Sequence, residues 1–347
     1  MSPRALLALV VLGVIAIAGG WYFGVAERPA EQRSVDAGRL MFPDLAPRLQ
    51  DAARIEITHL GKTTVIAKTG QSWGLVDRGG YPVQPGKLRT MLTTLTELRL
   101  VEPRTTNPEQ YARLGVEDAT GPTGTSNLLR VLDASGKPIV AVIVGHRRVR
   151  TQGNVPEQVY VRRPGESQSW LAEGGLQADA DPQLWLERDI MNIGHDRIAG
   201  VAVTHGEETL DLALDDKKLV LKKPEEHPPL DDYKLDDVGR ALELLTFQDV
   251  QPDAAPVGDK IGQSVFTATD GLMVTATVFK GDKDIWVRFS ATGLNQSKAE
   301  ADRLNARLSG WTYQLGAWKQ KALVPSLDDL KAPPPEKPTE PAEPPKP

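Results

Sequence analysis

The chain has 347 residues, room for about two domains, and its 25% charged and 40% hydrophobic content is a globular balance that excludes wholesale disorder. Lys+Arg 41 against Asp+Glu 46 gives a net charge of −5, which excludes nucleic-acid binding through bulk positive charge. With Cys 0, disulfides, thiolate metal sites, a cysteine nucleophile and cysteine lipidation are excluded too.

Residues 1–4 precede a run from Ala5 to Val25 that contains no charge. As an α-helix it spans roughly 31 Å, close to the ~30 Å hydrocarbon core of a bilayer. It has no polar stripe, as a soluble helix would. Trp21 and Tyr22 lie near its far end, where amphipathic rings favour the headgroup layer, and Arg4 with the α-amino group marks the near end. The run at 5–25 therefore reads as a single-pass anchor with the N-terminus in the cytoplasm and everything after it outside. The competing reading is a signal peptide cleaved at Gly24-Val25-Ala26, but its apolar region is ordinarily only ~7–15 residues. Both readings export the rest of the chain. No second run of ~18 apolar residues follows, so the protein is not expected to be a channel or carrier.

Residues 26–50 are polar and proline-punctuated and read as a stalk, with Leu40, Met41, Phe42 and Leu45 docking at its far end. Residues 51–180 and 197–331 read as two tandem α+β repeats joined by a junction at 181–196. Each opens on alternating segments: Arg54-Ile55-Glu56-Ile57, Thr64 to Lys68 and Ser72 to Val76 in the first, and Arg197 to Val201, Glu208 to Leu214 and Lys218 to Lys222 in the second. One amphipathic helix follows in each, its face drawn by Leu88, Met91, Leu92, Leu95 and Leu98, and by Leu235, Val238, Leu242 and Leu245. Asp231, Asp232, Asp236 and Asp237 gather where the second helix begins, a place its dipole favours for acids. Next comes a hairpin, Leu128–Leu132 with Ile139–Val144, and Ser264–Thr269 with Leu272–Phe279 across Asp270-Gly271. Tyr160-Val161-Arg162 matches Trp286-Val287-Arg288, and Trp170-Leu171 matches Trp311-Thr312-Tyr313. Asn107 to Gly115 reads as a short extra helix with Asn107 as N-cap and Gly115 closing it. In the junction, Trp185, Leu186, Ile190 and Ile193 are expected to be buried. The fold class is thus α+β, two antiparallel meander-and-hairpin repeats with one helix each, behind a transmembrane helix. Residues 332–347 are about half proline and read as an extended tail.

The chain lacks the glycine-rich phosphate loops, the HExxH zinc motif and the GxSxG elbow, so no cofactor and no catalytic residue is assigned. The best metal candidate is His195 and Asp196 with His205, which could meet across the 198–209 hairpin; a surface turn with an exposed histidine is the plainer reading. The densest local charge is His146-Arg147-Arg148-Val149-Arg150, expected at a loop tip. Arg147, Arg148 and Arg150 form a candidate contact for an anionic headgroup or an acidic partner, short of the ~4–8 cations usual for lipid binding. Trp73, Trp170, Trp286 and Trp311 are read as packing residues rather than a carbohydrate platform.

Trp73-Gly74-Leu75, the helix from Lys87 to Leu98, Leu114-Gly115-Val116, Val144-Gly145, Tyr160-Val161-Arg162 and Trp170 occur in an order that resembles the bacterial family called domain of unknown function 4340. The resemblance covers about residues 50 to 320 and the single N-terminal span. It implies an envelope protein of the bacterial inner membrane, often encoded beside an ABC-type export system related to gliding-motility components, and it carries no catalytic residue.

The expected function is therefore a non-enzymatic accessory or scaffold subunit, held by the bilayer and partnered with an ABC-type permease or another envelope protein. Two rivals stand beside it: a ligand-binding module with a groove between the repeats, and an enzyme acting on envelope polymers through acids such as Glu97, Glu102 or Glu117.

Overall fold

Strands arise where β-branched and aliphatic residues alternate with polar ones, because a half-buried pleated surface selects that pattern. The computed structural model describes residues 38–148 and 156–333, and the chain divides into two compact units after Trp185. Both are sheet-rich α+β units. The apolar run with Arg4, Trp21 and Tyr22, the position of Arg150, and residues 334–347 lie outside the described residues. Among the described residues no helix is long and apolar enough to cross a membrane.

The first unit opens with β1 (Ala52–His59), β2 (Lys62–Thr69), β3 (Ser72–Leu75) and β4 (Tyr81–Pro82). After α1 (Pro85–Glu97) come β5 (Arg99–Pro103), β6 (Asn127–Asp133), β7 (Pro138–Arg148), β8 (Gln158–Arg162) and β9 (Ser169–Glu173). They form one antiparallel sheet in the order β4-β3-β2-β1-β6-β7-β8-β9-β5. The chain leaves one edge at β4, passes through α1, and returns at the opposite edge as β5. Leu88, Met91 and Leu95 are the buried side of α1, and Leu98 is buried just past its end. Met41 and Leu45 are buried at the entry to the unit, while Leu40 and Phe42 are half-buried.

The second unit contains β10 (Asp189–Met191), β11 (Ile198–His205), β12 (Glu208–Asp215), β13 (Lys218–Lys223) and α2 (Asp232–Gly239). It continues with β14 (Leu245–Thr246), β15 (Asp249–Pro252), β16 (Lys260–Ala268), β17 (Met273–Lys280), β18 (Asp284–Thr292), α3 (Lys298–Leu308) and β19 (Trp311–Gly316). Its main sheet runs β13-β12-β11-β16-β17-β18-β19-β15, the order of the first sheet without a counterpart of β4. The registers correspond as well: Ile57 faces Thr64 and Leu129, and Val203 faces Leu210 and Ser264. Burial alternates residue by residue along β16, β17 and β18, as it must when one face of a sheet meets the core.

Several expectations are corrected. The second helix stops at Gly239, so Leu242 and Leu245 lie beyond it, although both are buried. The chain leaves helical geometry at Arg240 (φ −87°, ψ 2°), and Gly239 packs against Leu219, where an added Cβ would sit 3.0 Å from a leucine methyl. The second unit also carries α3, so it has more than the one helix expected. Register places Tyr313, rather than Trp311, opposite Val287 in the position that Trp170 holds opposite Val161; Tyr313 is buried and Trp311 half-buried.

Arg162 fastens the first unit. Its side chain is 5% exposed and donates from Nε to Val116 O (2.8 Å), from Nη1 to Glu166 O (3.0 Å) and from Nη2 to Asp118 Oδ1 (2.5 Å), with the Tyr111 ring 4.5 Å away. The bonds tie β8 to the loop that follows the short helix Tyr111–Leu114, which Gly115 closes in the left-handed region; Asn107 caps the single turn Pro108–Gln110 that leads into that helix. Arg162→Met removes the donors and leaves two carbonyls to find water. We expect a loss of about 3 kcal/mol, measured by urea unfolding.

In the second unit Arg197 plays the tying role. It makes two bonds to Glu300 on α3 (3.1 and 3.0 Å) and one to Asp270 in the β16–β17 turn (2.7 Å). The Asp270 carboxyl is held below its ordinary range, first by the Leu272 amide and then by the Arg197 guanidinium, which together outweigh desolvation. A depressed folded-state value means stability that is present above the ordinary aspartate range and lost as pH falls through the lower value. Thermal melts from about pH 6 to about pH 2 should show an acid-side fall in Tm that is shallower in Asp270→Asn.

Candidate functional site

A cleft lies at the same place in each unit, between the β2–β3 or β12–β13 hairpin and the helix that follows it. In the first unit a cleft of about 490 Å³ is walled by Ser72 and Trp73 of the hairpin, Leu88, Leu92 and Thr96 of α1, and Leu49 from the entry segment. In the second a cleft of about 370 Å³ is walled by Leu214, Lys218, Leu219 and Val220 of the hairpin and by Tyr233 and Asp236 of α2, with His195 at its side. Both volumes fall in the range of small-ligand sites, ~300–1,000 Å³.

The second cleft is built by local rules. Asp216 and Lys217 turn the β12–β13 hairpin with positive φ values of 42° and 68°, the geometry whose twist suits a two-residue hairpin. Asp231 caps α2 by accepting from Tyr233 N (2.9 Å). That cap places Tyr233 on the first turn, where it is 84% exposed beside the cleft. Lys218 Nζ bonds Asp232 Oδ2 at 3.0 Å across the mouth, and Lys222 bonds Asp215 at 2.7 Å. Both pairs are largely exposed, so they shape the surface without adding much stability.

His195 belongs to a hydrogen-bonded network. Arg240 Nη2 donates to its Nε2 (3.1 Å), which leaves the proton on Nδ1 to bond Glu243 Oε2 (3.3 Å), and Arg240 Nε also bonds Asp236 (2.6 Å). His205 Nδ1 bonds Val324 O at 2.8 Å. Strand β11 alone, ~23 Å long, separates the two histidines, so the pairing considered from sequence does not form. Among the described residues there is no group of three or more potential metal ligands.

Arg147 and Arg148 lie on strand β7, which runs through to Arg148 and pairs with β8, rather than at a loop tip. Arg147 Nη2 bonds Glu157 Oε2 at 2.6 Å, so its charge is already matched. Arg148 is half-buried without an ion-pair partner among the described residues. The acids named for an enzyme stand apart. Glu97 is exposed at the end of α1, Glu102 pairs with Arg104 (3.0 Å), and Glu117 accepts from the amides of Thr125 and Ser126. None of the three lines either cleft.

Of the tryptophans, Trp170 is buried, while Trp73 and Trp286 are half-buried, Trp73 as a wall of the first cleft. Sequence reasoning missed Tyr233 and the edge Lys217-Lys218-Leu219-Val220-Leu221-Lys222-Lys223. Its signal was there, an apolar centre flanked by lysine pairs directly before a capped helix.

These features define a sheet-rich α+β protein of two units that share one strand order, each with a cleft beside its edge hairpin. A family model, domain of unknown function DUF4340, matches residues 73–262, more than half of the chain, and the protein belongs to that family. No curated protein and no solved structure gives a significant match.

The two sides of a cleft should respond differently to truncation. Tyr233→Ala removes an exposed ring and should change unfolding free energy by less than about 0.5 kcal/mol. Leu88→Ala empties a buried position behind the first cleft and should cost about 3 kcal/mol in the same denaturation measurement.

Proposed function

We propose that the protein is a membrane-anchored accessory subunit of the bacterial envelope that works by holding partners rather than by catalysis. The observation that carries this reading is the uncharged run of residues 5–25, long enough to span a bilayer. Anchoring confines the two units to the membrane plane and raises their effective concentration near a membrane partner. The family resemblance suggests an ABC-type permease for that partner. The shared strand order and register of the two units support a duplicated origin.

A second reading, a ligand-binding module, is favoured by one specific observation, the presence of a cleft of suitable volume within each unit. The accessory reading predicts that alkaline phosphatase fused after residue 347 is active and that the chain co-purifies with a permease in mild detergent. An inactive fusion with a fluorescent cytoplasmic reporter would sink the anchor topology. A thermal shift with a glycan, peptide or lipid and no co-purifying protein would favour the module instead.

A further inference from the structure

The two units differ in how they finish one sheet edge. In the first, β4 lies along β3: Gly74 pairs with Pro82 and Leu75 with Tyr81, while Gly80 N donates to Leu75 O (2.9 Å) and Val83 N to Trp73 O (3.0 Å). Tyr81 and Val83 are thereby buried, at 6% and 3% exposure. In the second unit β13 is the last strand, and its outer main-chain groups have no partner among the described residues. The residues that register places opposite β4, His227 and Pro228, join no strand of this sheet, and residues 224–227 leading to them are exposed.

One residue accounts for the difference. A Cβ on Gly74 would lie 2.1 Å from Gly80 O, so the chain can fold back over β3 only because position 74 has no side chain. Register places Val220 at the equivalent point of β13, since Ile66 faces Leu75 as Leu212 faces Leu221. Valine excludes that tight return but not a regular strand, whose side chains stand clear of the ladder. Trp73 O and Leu75 O accept along the outer edge of β3. By the same register, Leu219 and Leu221 present their amides and carbonyls outward on β13.

From this we infer that β13 is a docking edge for an extended, acidic strand of a partner protein, which adds to the sheet where β4 lies in the first unit and sets an apolar side chain into the cleft beside Tyr233. Charge selects the occupant. Lysine stands at positions 217, 218, 222 and 223 around Leu219-Val220-Leu221. Lys217 and Lys223 have no ion-pair partner among the described residues. Edge lysines repel indiscriminate pairing, and here they leave an acidic strand as the matching guest. The inference holds whether or not the chain is anchored, so its failure leaves the accessory reading intact.

The test uses the full chain in detergent and a fluorescein-labelled peptide, Glu-Glu-Val-Tyr-Val-Glu-Glu. The expected result is saturable anisotropy together with slowed hydrogen exchange at the Leu219 and Leu221 amides. Lys217→Glu with Lys223→Glu, both exposed, should weaken binding about tenfold or more. N-methylation of alternate peptide amides, which removes the donors of a β-ladder without touching the protein, should abolish it. No saturable binding, or binding that survives N-methylation, overturns the proposal. So does binding seen only in a chain ended at Pro333, which assigns the edge to the protein's own proline-rich segment. A dimer dissolved by the lysine reversals assigns it to a second copy and overturns the proposal equally.

Discussion

An antiparallel sheet satisfies its backbone internally everywhere except along its two outer strands, and the way each unit treats those strands governs the surface it presents. At the far side a lead-in segment lies beside the stretch that follows the helix in each unit, against the outer strand β5 in the first and in a separate two-stranded ribbon just before the outer strand β15 in the second. Residues 38–41 exchange main-chain bonds with Leu98 and Leu100 in the first unit, and β10 pairs with β14 in the second. At the near side they diverge, over a single side chain. Gly74 permits a tight return and a closed boundary; Val220 forbids it and leaves a lysine-flanked boundary open.

The same contrast explains why the interiors differ less than the surfaces. Apolar pairs such as Ile57 with Leu129, and Val201 with Phe266, are set by alternation and tolerate exchange among aliphatic and aromatic side chains. Polar fasteners are individual to each unit. Glu56 sits on β1 bonded to Arg54 (2.8 Å) and to Arg130 (2.5 Å), whereas register puts Ala202 and Val265 at those cross-strand places in the second unit. The arginines at matching positions, Arg162 and Arg288, reach different segments, the latter bonding Thr312 and the carbonyl of Asp253. The family match runs from Trp73 in β3 to Gly262 in β16, so both near-side boundaries fall within it.

Much of the architecture could be read from the chain because period-two alternation and hairpin turns are local signals. Asp270-Gly271 turns between β16 and β17, which carry the runs beside it as expected. What escaped depends on distant partners. Helix α3 buries only Ala301 and Leu308, too faint an apolar stripe to stand out. The face through Leu235, Val238, Leu242 and Leu245 kept helical spacing past Gly239, because residues in a turn and a short strand can be buried at the same intervals. The open boundary at β13 was invisible in sequence, since it is defined by what fails to lie alongside it.

The irregularity in β7 has a topological consequence. Val144 faces Val161 and Arg147 faces Val159, so three steps on one strand are matched by two on its neighbour. Gly145 sits at this point because a Cβ there would come within 2.4 Å of Leu114 O. The extra residue acts as a parity switch. Upstream of it the odd and even positions of β7 have fixed sides, and downstream those sides are exchanged. Lineages that shed one residue at 145–146 would present Arg147 and Arg148 on swapped sides of the ribbon while every upstream pairing stayed as it is.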